Sequence, residues 1–212
     1  MDTEVLENSK KQKELVWAQI LYLYIVPVLI LYFKIIPGSL VDLRFVMLFV
    51  VCLLLYGIVR HNKWTWADMG VRKDFMKDLI PYAIFTVGSI AFLFWLFKIS
   101  GTSPMSGWWH NAKFLLLFIP ISVLQEVAMR GVLMNMLRRA FKSPIFIIVL
   151  NSCLFALIHI IYLNATFVLP FTFIAGLGFA WMYYQYPNLI LISISHTILN
   201  FVGVALGFFM VR

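Results

Sequence analysis

The chain has 212 residues, 63% of them hydrophobic and only 12% charged, with a mean hydropathy of +0.93 and a net charge of +8. That balance excludes a soluble domain of ordinary size and defines an all-α, polytopic transmembrane helical bundle that uses the whole length. The positive charge does not point to nucleic acid, because the basic residues cluster between or before apolar runs, as topology signals and contacts for anionic membrane lipid.

In chain order, residues 1–14 form a polar segment of mixed charge, read as a cytoplasmic N-terminus. The apolar run that follows is too long for a signal-peptide core and lacks a small-residue cleavage site, so it is expected to be a retained span. Seven hydrophobic segments are predicted, at about 15–36, 43–60, 79–98, 113–137, 144–163, 166–184 and 188–210, each near the ~20 residues that cross a hydrocarbon core. The chain thus divides into the N-terminus at 1–14, three spans with a loop at 15–110, and four spans at 111–212. Between the second and third spans, residues 61–77 carry Trp64, Trp66, Asp68 and Gly70. They predict a cytoplasmic loop with a short interfacial helix and tryptophans at headgroup level. Trp108, Trp109 and His110 are expected to do the same on the other side. The join between the fifth and sixth segments, at Asn164-Ala165, is the least punctuated, and a re-entrant turn or tilted pair fits there. Asn164-Ala-Thr166 matches a glycosylation sequon too close to the membrane to carry weight.

Orientation follows from Lys and Arg. With the N-terminus in the cytoplasm, the inside segments hold Lys10, Lys11, Lys13, Arg60, Lys63, Arg72, Lys73, Lys77, Arg138, Arg139 and Lys142. The outside flanks hold only Lys34, Arg44, Lys98, Lys113 and Arg212. The bias favours N-terminus in and C-terminus out. Cys52 and Cys153 both fall within spans, so a structural disulfide is not expected.

Glu126 is the only acidic residue in the last 134 positions, and it lies in an apolar segment beside Gln125 and four residues before Arg130. Ionisable groups at bilayer depth are expensive and mark function by default. Glu126 and Arg130, one turn apart, can pair on one helix face. Gln125 is rotated about 100° from Glu126, so if Glu126 turns to Arg130, position 125 is the one free to face the bundle centre. Two later spans carry Phe155 with His159, and His196 with Asn200, each pair at i and i+4. An imidazole can activate water, while a second imidazole and a carboxamide can hold a developing oxyanion. Peptide hydrolysis needs both. Taken singly, each histidine is as well read as a packed helix contact, Asn200 as interhelical glue, and Phe155 as packing. Their conjunction on three apolar segments favours one polar pocket. Zinc held by two His and a carboxylate is the other reading, although the dense His-Glu-x-x-His spacing is absent.

These residues resemble the CAAX-protease and bacteriocin-processing (CPBP, or ABI) intramembrane proteases. That family carries Glu-Glu-x-x-x-Arg, Phe-x-x-x-His and His-x-x-x-Asn motifs on successive membrane helices. Here they look like Gln125 to Arg130, Phe155 to His159 and His196 to Asn200, over about residues 110–210. The resemblance implies a catalytic core formed by the last four spans, with a hydrophilic cavity reached from the membrane and one aqueous side. It implies water activated by the position-125 acid with His159, oxyanion donors His196 and Asn200, and Glu126, Arg130 and Phe155 as support for the motif helices. It also implies a metal-independent glutamate peptidase with no cofactor, acting on a small peptide precursor or a membrane-bound protein tail. Small size and a short N-terminus suggest a bacterial plasma-membrane protein.

The departure is Gln125, where the family has its first glutamate, because an amide does not accept a proton at neutral pH. Three explanations compete: an engineered Glu→Gln variant, a natural pseudoprotease that binds peptide, or Glu126 acting as the base. The first is preferred at this stage because the rest of the motif set is intact. Loss of one acid–base partner costs about 10²–10⁴-fold, so the chain as written is expected to be weak or inactive and Gln125→Glu active. The rival class is a non-catalytic peptide-binding or immunity adaptor. A transporter is less favoured, since neither paired halves nor interrupted helices are visible in the sequence.

Overall fold

The computed structural model describes residues 3–104, 107, 112–162 and 165–208. The described residues form an all-helical bundle whose rods follow the seven apolar segments. The first rod is α1 (Thr3–Ile20), a π-helical turn (Leu21–Ile25) and α2 (Val26–Tyr32). Pro27 in the first turn of α2 has no N–H to give, and the turn before it widens. The next rods are α3 (Leu40–His61) and α4 (Leu79–Ser100). The fourth joins α5 (Ala112–Glu126) through a second π-helical turn (Val127–Leu133) to α6 (Met134–Ala140). Then come α7 (Pro144–Leu157), α8 (Ala165–Gln185) and α9 (Leu189–Ala205).

Among the described residues, four helical stretches are long and apolar enough to cross a membrane: Lys10–Tyr32, Asp42–His61, Phe75–Ser100 and Ala165–Gln185. Their outer faces remain apolar: Ile80, Ile84 and Val87 on α4 are 72%, 69% and 65% exposed, as expected where lipid is the solvent. Inside, Ile20, Leu55, Leu133, Leu137, Ile147 and Ile192 are buried to 1% or less and join the rods in one core.

Residues 3–14 of the polar N-terminus are the start of α1, where Glu7 pairs with Lys11 at 2.7 Å one turn on. Such exposed pairs support a helix by about 0.2–0.5 kcal/mol. The interfacial helix expected in 61–77 is a set of turns ending in a 3₁₀ turn, Phe75–Asp78. Asp68 ties back to the Thr65 N–H (2.7 Å) and hydroxyl (2.8 Å). Gly70 then takes a positive φ of 79° directly under Tyr183, where a Cβ would lie 2.5 Å from the phenol oxygen. The last rod ends at Ala205 rather than near 210, before Gly207 at φ 83°. Finally, α7 stops at Leu157 instead of continuing to 163, so its 14 residues span only about 21 Å. Irregular backbone at bilayer depth is tolerated where protein buries it or it lines a cavity. Interrupted backbone, not visible in the sequence, is therefore present at 158–161. The positions of Trp108, Trp109, His110, Asn164 and Arg212 lie outside the described residues.

Candidate active site

Glu126 closes α5, just before the helix widens into the π turn. Widened turns inside helices occur often at functional sites, and the carbonyls they turn aside need other donors. Here those donors come from distant rods. The Tyr24 hydroxyl donates to the Ala128 carbonyl at 2.8 Å, and the Asn151 amide donates to the Met129 carbonyl at 2.8 Å. One turn earlier, the Cys52 thiol reaches the Leu124 carbonyl at 3.6 Å. The neighbouring helix end is pinned as well: the Asn188 side chain caps α9 by accepting from the Leu191 N–H at 3.2 Å and donates to the Phe75 carbonyl at 2.7 Å.

The Glu126 carboxylate and the Arg130 guanidinium are both fully buried. Oε1 of Glu126 accepts from Arg130 at 3.0 Å and meets Nδ1 of His196 at 2.5 Å. Asn200, one turn after His196, brings its amide nitrogen 2.8 Å from His196 Nε2 and donates to the Ser122 hydroxyl at 3.3 Å. Donor counting assigns the tautomer: Nδ1 carries the hydrogen toward the carboxylate and Nε2 accepts from Asn200. Arg130 also lies 4.5 Å from the ring centre of Phe155 and 5.3 Å from that of Phe179. Two aromatic faces thus share the work of housing its charge.

His159 sits in the turn that ends α7. Its Nδ1 lies 2.7 Å from the Phe155 carbonyl, taking the place of a helical donor. The backbone there tightens to i→i+3 bonds, from the N–H groups of His159 and Ile160 to Ala156 and Leu157. With Nδ1–H so engaged, the basic lone pair is on Nε2. Phe155 packs against both imidazoles, at 4.9 Å from His159 and 5.5 Å from His196. Gly176 on α8 permits this approach, since a Cβ there would lie 3.1 Å from the Phe155 ring and 3.2 Å from the Ser152 backbone. One cavity is lined by His159, His196, Asn200, Phe155 and Thr172, with Phe85, Ser89 and Leu93 of α4 on its far wall.

The structure therefore brings together Glu126, Arg130, Phe155, His159, His196 and Asn200. It does not add Gln125, which lines a different, apolar cavity with Tyr24, Arg44, Ala128 and Ile158. The expectation that position 125 would face the centre assumed that Glu126 must choose between Arg130 and the pocket. One oxygen of Glu126 serves both, and its other oxygen, Oε2, is buried with no hydrogen-bond partner among the described residues. Sequence reasoning missed Ser122, Asn151 and Tyr162. Polar residues in apolar helices were the available signal for the first two. Tyr162 stacks on His159 with ring centres 5.6 Å apart and had no such signal in a run of aromatic and aliphatic residues. Among the described residues, no three His, Cys, Asp or Glu side chains are grouped to hold a metal ion.

A buried carboxylate–imidazole–amide chain thus faces a second imidazole inside a helical bundle. Residues 106–202 match the family model described as "Rce1-like: Type II CAAX prenyl endopeptidase Rce1-like". Over that segment the chain is similar to the CAAX-type intramembrane endopeptidases of the CPBP family. Neither the curated proteins nor the solved structures give a match.

Proposed function

We propose that the chain hydrolyses a peptide bond in a small peptide precursor or a membrane-bound protein tail, with residues 111–212 as the acting core and Glu126 as the acid of the site. One observation carries this reading: the only carboxylate in the motif helices is hydrogen-bonded to His196, beside a cavity shared with His159 and Asn200. His159 Nε2 takes a proton from water as the water oxygen bonds to the scissile carbonyl carbon. The carbonyl oxygen, now an oxyanion, is met by Asn200 and His196. Glu126 fixes the orientation of His196 by accepting from Nδ1–H, and the donor that His196 offers the oxyanion is Nε2–H in its protonated form. As the C–N bond breaks, the proton on His159 passes to the leaving amine. Arg130 and Phe155 hold the carboxylate and the two rings in place.

Of the three explanations for Gln125, this geometry favours the one in which Glu126 takes over the acid's part, so activity does not require a glutamate at 125. A metal-independent route is favoured because both Nδ1 atoms are engaged within the protein and Asn200 covers His196 Nε2. The zinc alternative predicts activity lost on chelation together with stoichiometric metal. The setting we propose is a bacterial plasma membrane with the N-terminus in the cytoplasm, supported by the bias of Lys and Arg along the chain.

The test is cleavage of candidate tail and precursor peptides by purified wild type, Glu126→Gln, Gln125→Glu and His159→Ala, with peptide binding measured in parallel. Wild-type cleavage abolished in Glu126→Gln and His159→Ala is the expected result. Cleavage by Gln125→Glu alone would return the acid to position 125. Binding without cleavage by any of the proteins would favour the peptide-binding adaptor.

A further inference from the structure

The cavity that receives Gln125 lies outside the catalytic arrangement and has its own chemistry. It runs between α2 and α3, with the π turn of the fourth rod and the 158–161 turn behind it. On α3 its wall is Arg44, Leu48 and Val51, and on the first rod it is Leu31 and Val28 of α2 with Tyr24 of the π turn before it. Arg44 to Val51 is seven residues, so the slot descends roughly 10 Å along the helix axis. Arg44, in the first turns of α3, is its only charged lining residue among the described residues. Its Nη1 donates to the Tyr162 hydroxyl at 2.8 Å, while its Nε is buried with no hydrogen-bond partner among the described residues. Of its described neighbours in the chain, Lys34 is exposed in the 33–39 loop, and Asp42 is exposed and rotated about 200° around α3 from Arg44.

A buried guanidinium N–H without an acceptor is costly, and a charge at the mouth of an apolar slot near a helix end matches the layout of a phospholipid. We propose that this cavity binds one membrane phospholipid with an anionic headgroup, its phosphate on Arg44 and an acyl chain along Leu31, Val28, Leu48 and Val51. Planar guanidinium donors suit phosphate oxygens, and net negative charge distinguishes this occupant from a zwitterionic lipid. Because Arg44 also holds Tyr162, whose ring stacks on His159 at an interplanar angle of 17°, the bound headgroup shares a residue with the turn that carries His159. The site does not depend on the peptidase reading.

The experiment is native mass spectrometry of the full chain released from mixed micelles of phosphatidylglycerol and phosphatidylcholine, for wild type, Arg44→Gln, Arg44→Lys and Leu48→Trp. Thermal unfolding of each variant checks that it is folded. Wild type should retain one phosphatidylglycerol in preference to phosphatidylcholine. Losing one charge-assisted contact should weaken retention about tenfold in Arg44→Gln. Arg44→Lys should retain most of the preference, and Leu48→Trp should lose the lipid by filling the slot. If Arg44→Gln does not fold, the Lys and Trp variants decide alone. Equal retention of both lipids, or phosphatidylglycerol retained unchanged by a folded Arg44→Gln or Leu48→Trp, overturns the proposal.

Discussion

Glu126 and Arg130 are each fully buried and share one hydrogen bond of 3.0 Å, so exchanging one of them strands the other in a medium of low dielectric. Glu126→Gln keeps volume and can still accept from His196 Nδ1–H through its carbonyl oxygen. What it removes is the counter-charge of Arg130, leaving the guanidinium a neutral amide oxygen and the rings of Phe155 and Phe179. Breaking a buried pair from one side costs about 3–5 kcal/mol, whereas exchanging both partners for apolar groups is often neutral. We therefore expect Glu126→Gln and Arg130→Met each to destabilise the protein by about 3 kcal/mol. The double variant should be clearly less destabilised than the sum, with a coupling of about 2 kcal/mol. Reversible unfolding in bicelles, followed by steric trapping or by denaturing detergent, gives all four corners of the cycle. Strictly additive single effects, or a Glu126→Gln protein within about 0.5 kcal/mol of wild type, would refute the idea that this pair is energetically closed.

Gly176→Ala puts a methyl 3.1 Å from Phe155 and 3.2 Å from backbone, so overpacking should cost about 1–3 kcal/mol in the same unfolding assay. Because Phe155 touches both imidazoles, its activity should fall as well. Tyr24→Phe leaves the Ala128 carbonyl without its donor and should cost about 1–3 kcal/mol, read as a lower thermal midpoint. The 62–78 loop should loosen in acid. Hydrogen bonds from Thr65 hold the Asp68 carboxyl below its usual range, and those from Lys77 and Arg72 hold Asp74 at about 2. Depressed folded values stabilise the loop above the ordinary carboxylate value near 4, and this is lost as pH falls from there toward 2. Amide hydrogen exchange across residues 62–78, corrected for intrinsic rates, should show protection falling in that window, and flat protection would count against it.

Hydropathy located the rods because lipid-facing and core-facing residues are both apolar, and it set most of their ends to within a few residues. It failed at α7 for the same reason. Ile158, Ile160, Ile161 and Tyr162 continue the apolar run, so nothing in their transfer energies marks a turn. The signal was the position of His159, four residues after Phe155, where a ring nitrogen can take the carbonyl that the next helical turn would have used. Within the site, spacing located the three motif helices, since i and i+4 pairs share a face whatever the tertiary context. Spacing could not tell that one oxygen of Glu126 serves both Arg130 and His196, and on that point the direction of Gln125 turned. The loop at 61–77 misled in another way. Tryptophans and charges suit an interfacial helix, but Gly70 packed beneath Tyr183 imposes a turn whose need is visible only from α8.

The first three rods lie outside the family match, yet the chemistry of residues 125–200 leans on them. A π turn and a helix that ends within the bundle are both ways of putting polar groups where lipid would reject them, and each leaves backbone that must be shielded. Tyr24 on the first rod and Cys52 on α3 take carbonyls from the fourth rod, and Arg44 on α3 binds the tyrosine that stacks on His159. These contacts join residues 72 to 118 positions apart, so no local pattern could announce them. Their chemistry nevertheless follows from the site: where the motif helices depart from regular geometry, side chains of the first rod and α3 join Asn151 and His159 in supplying the missing donors. Those spans are best understood as the part of the solvent that the bilayer could not provide.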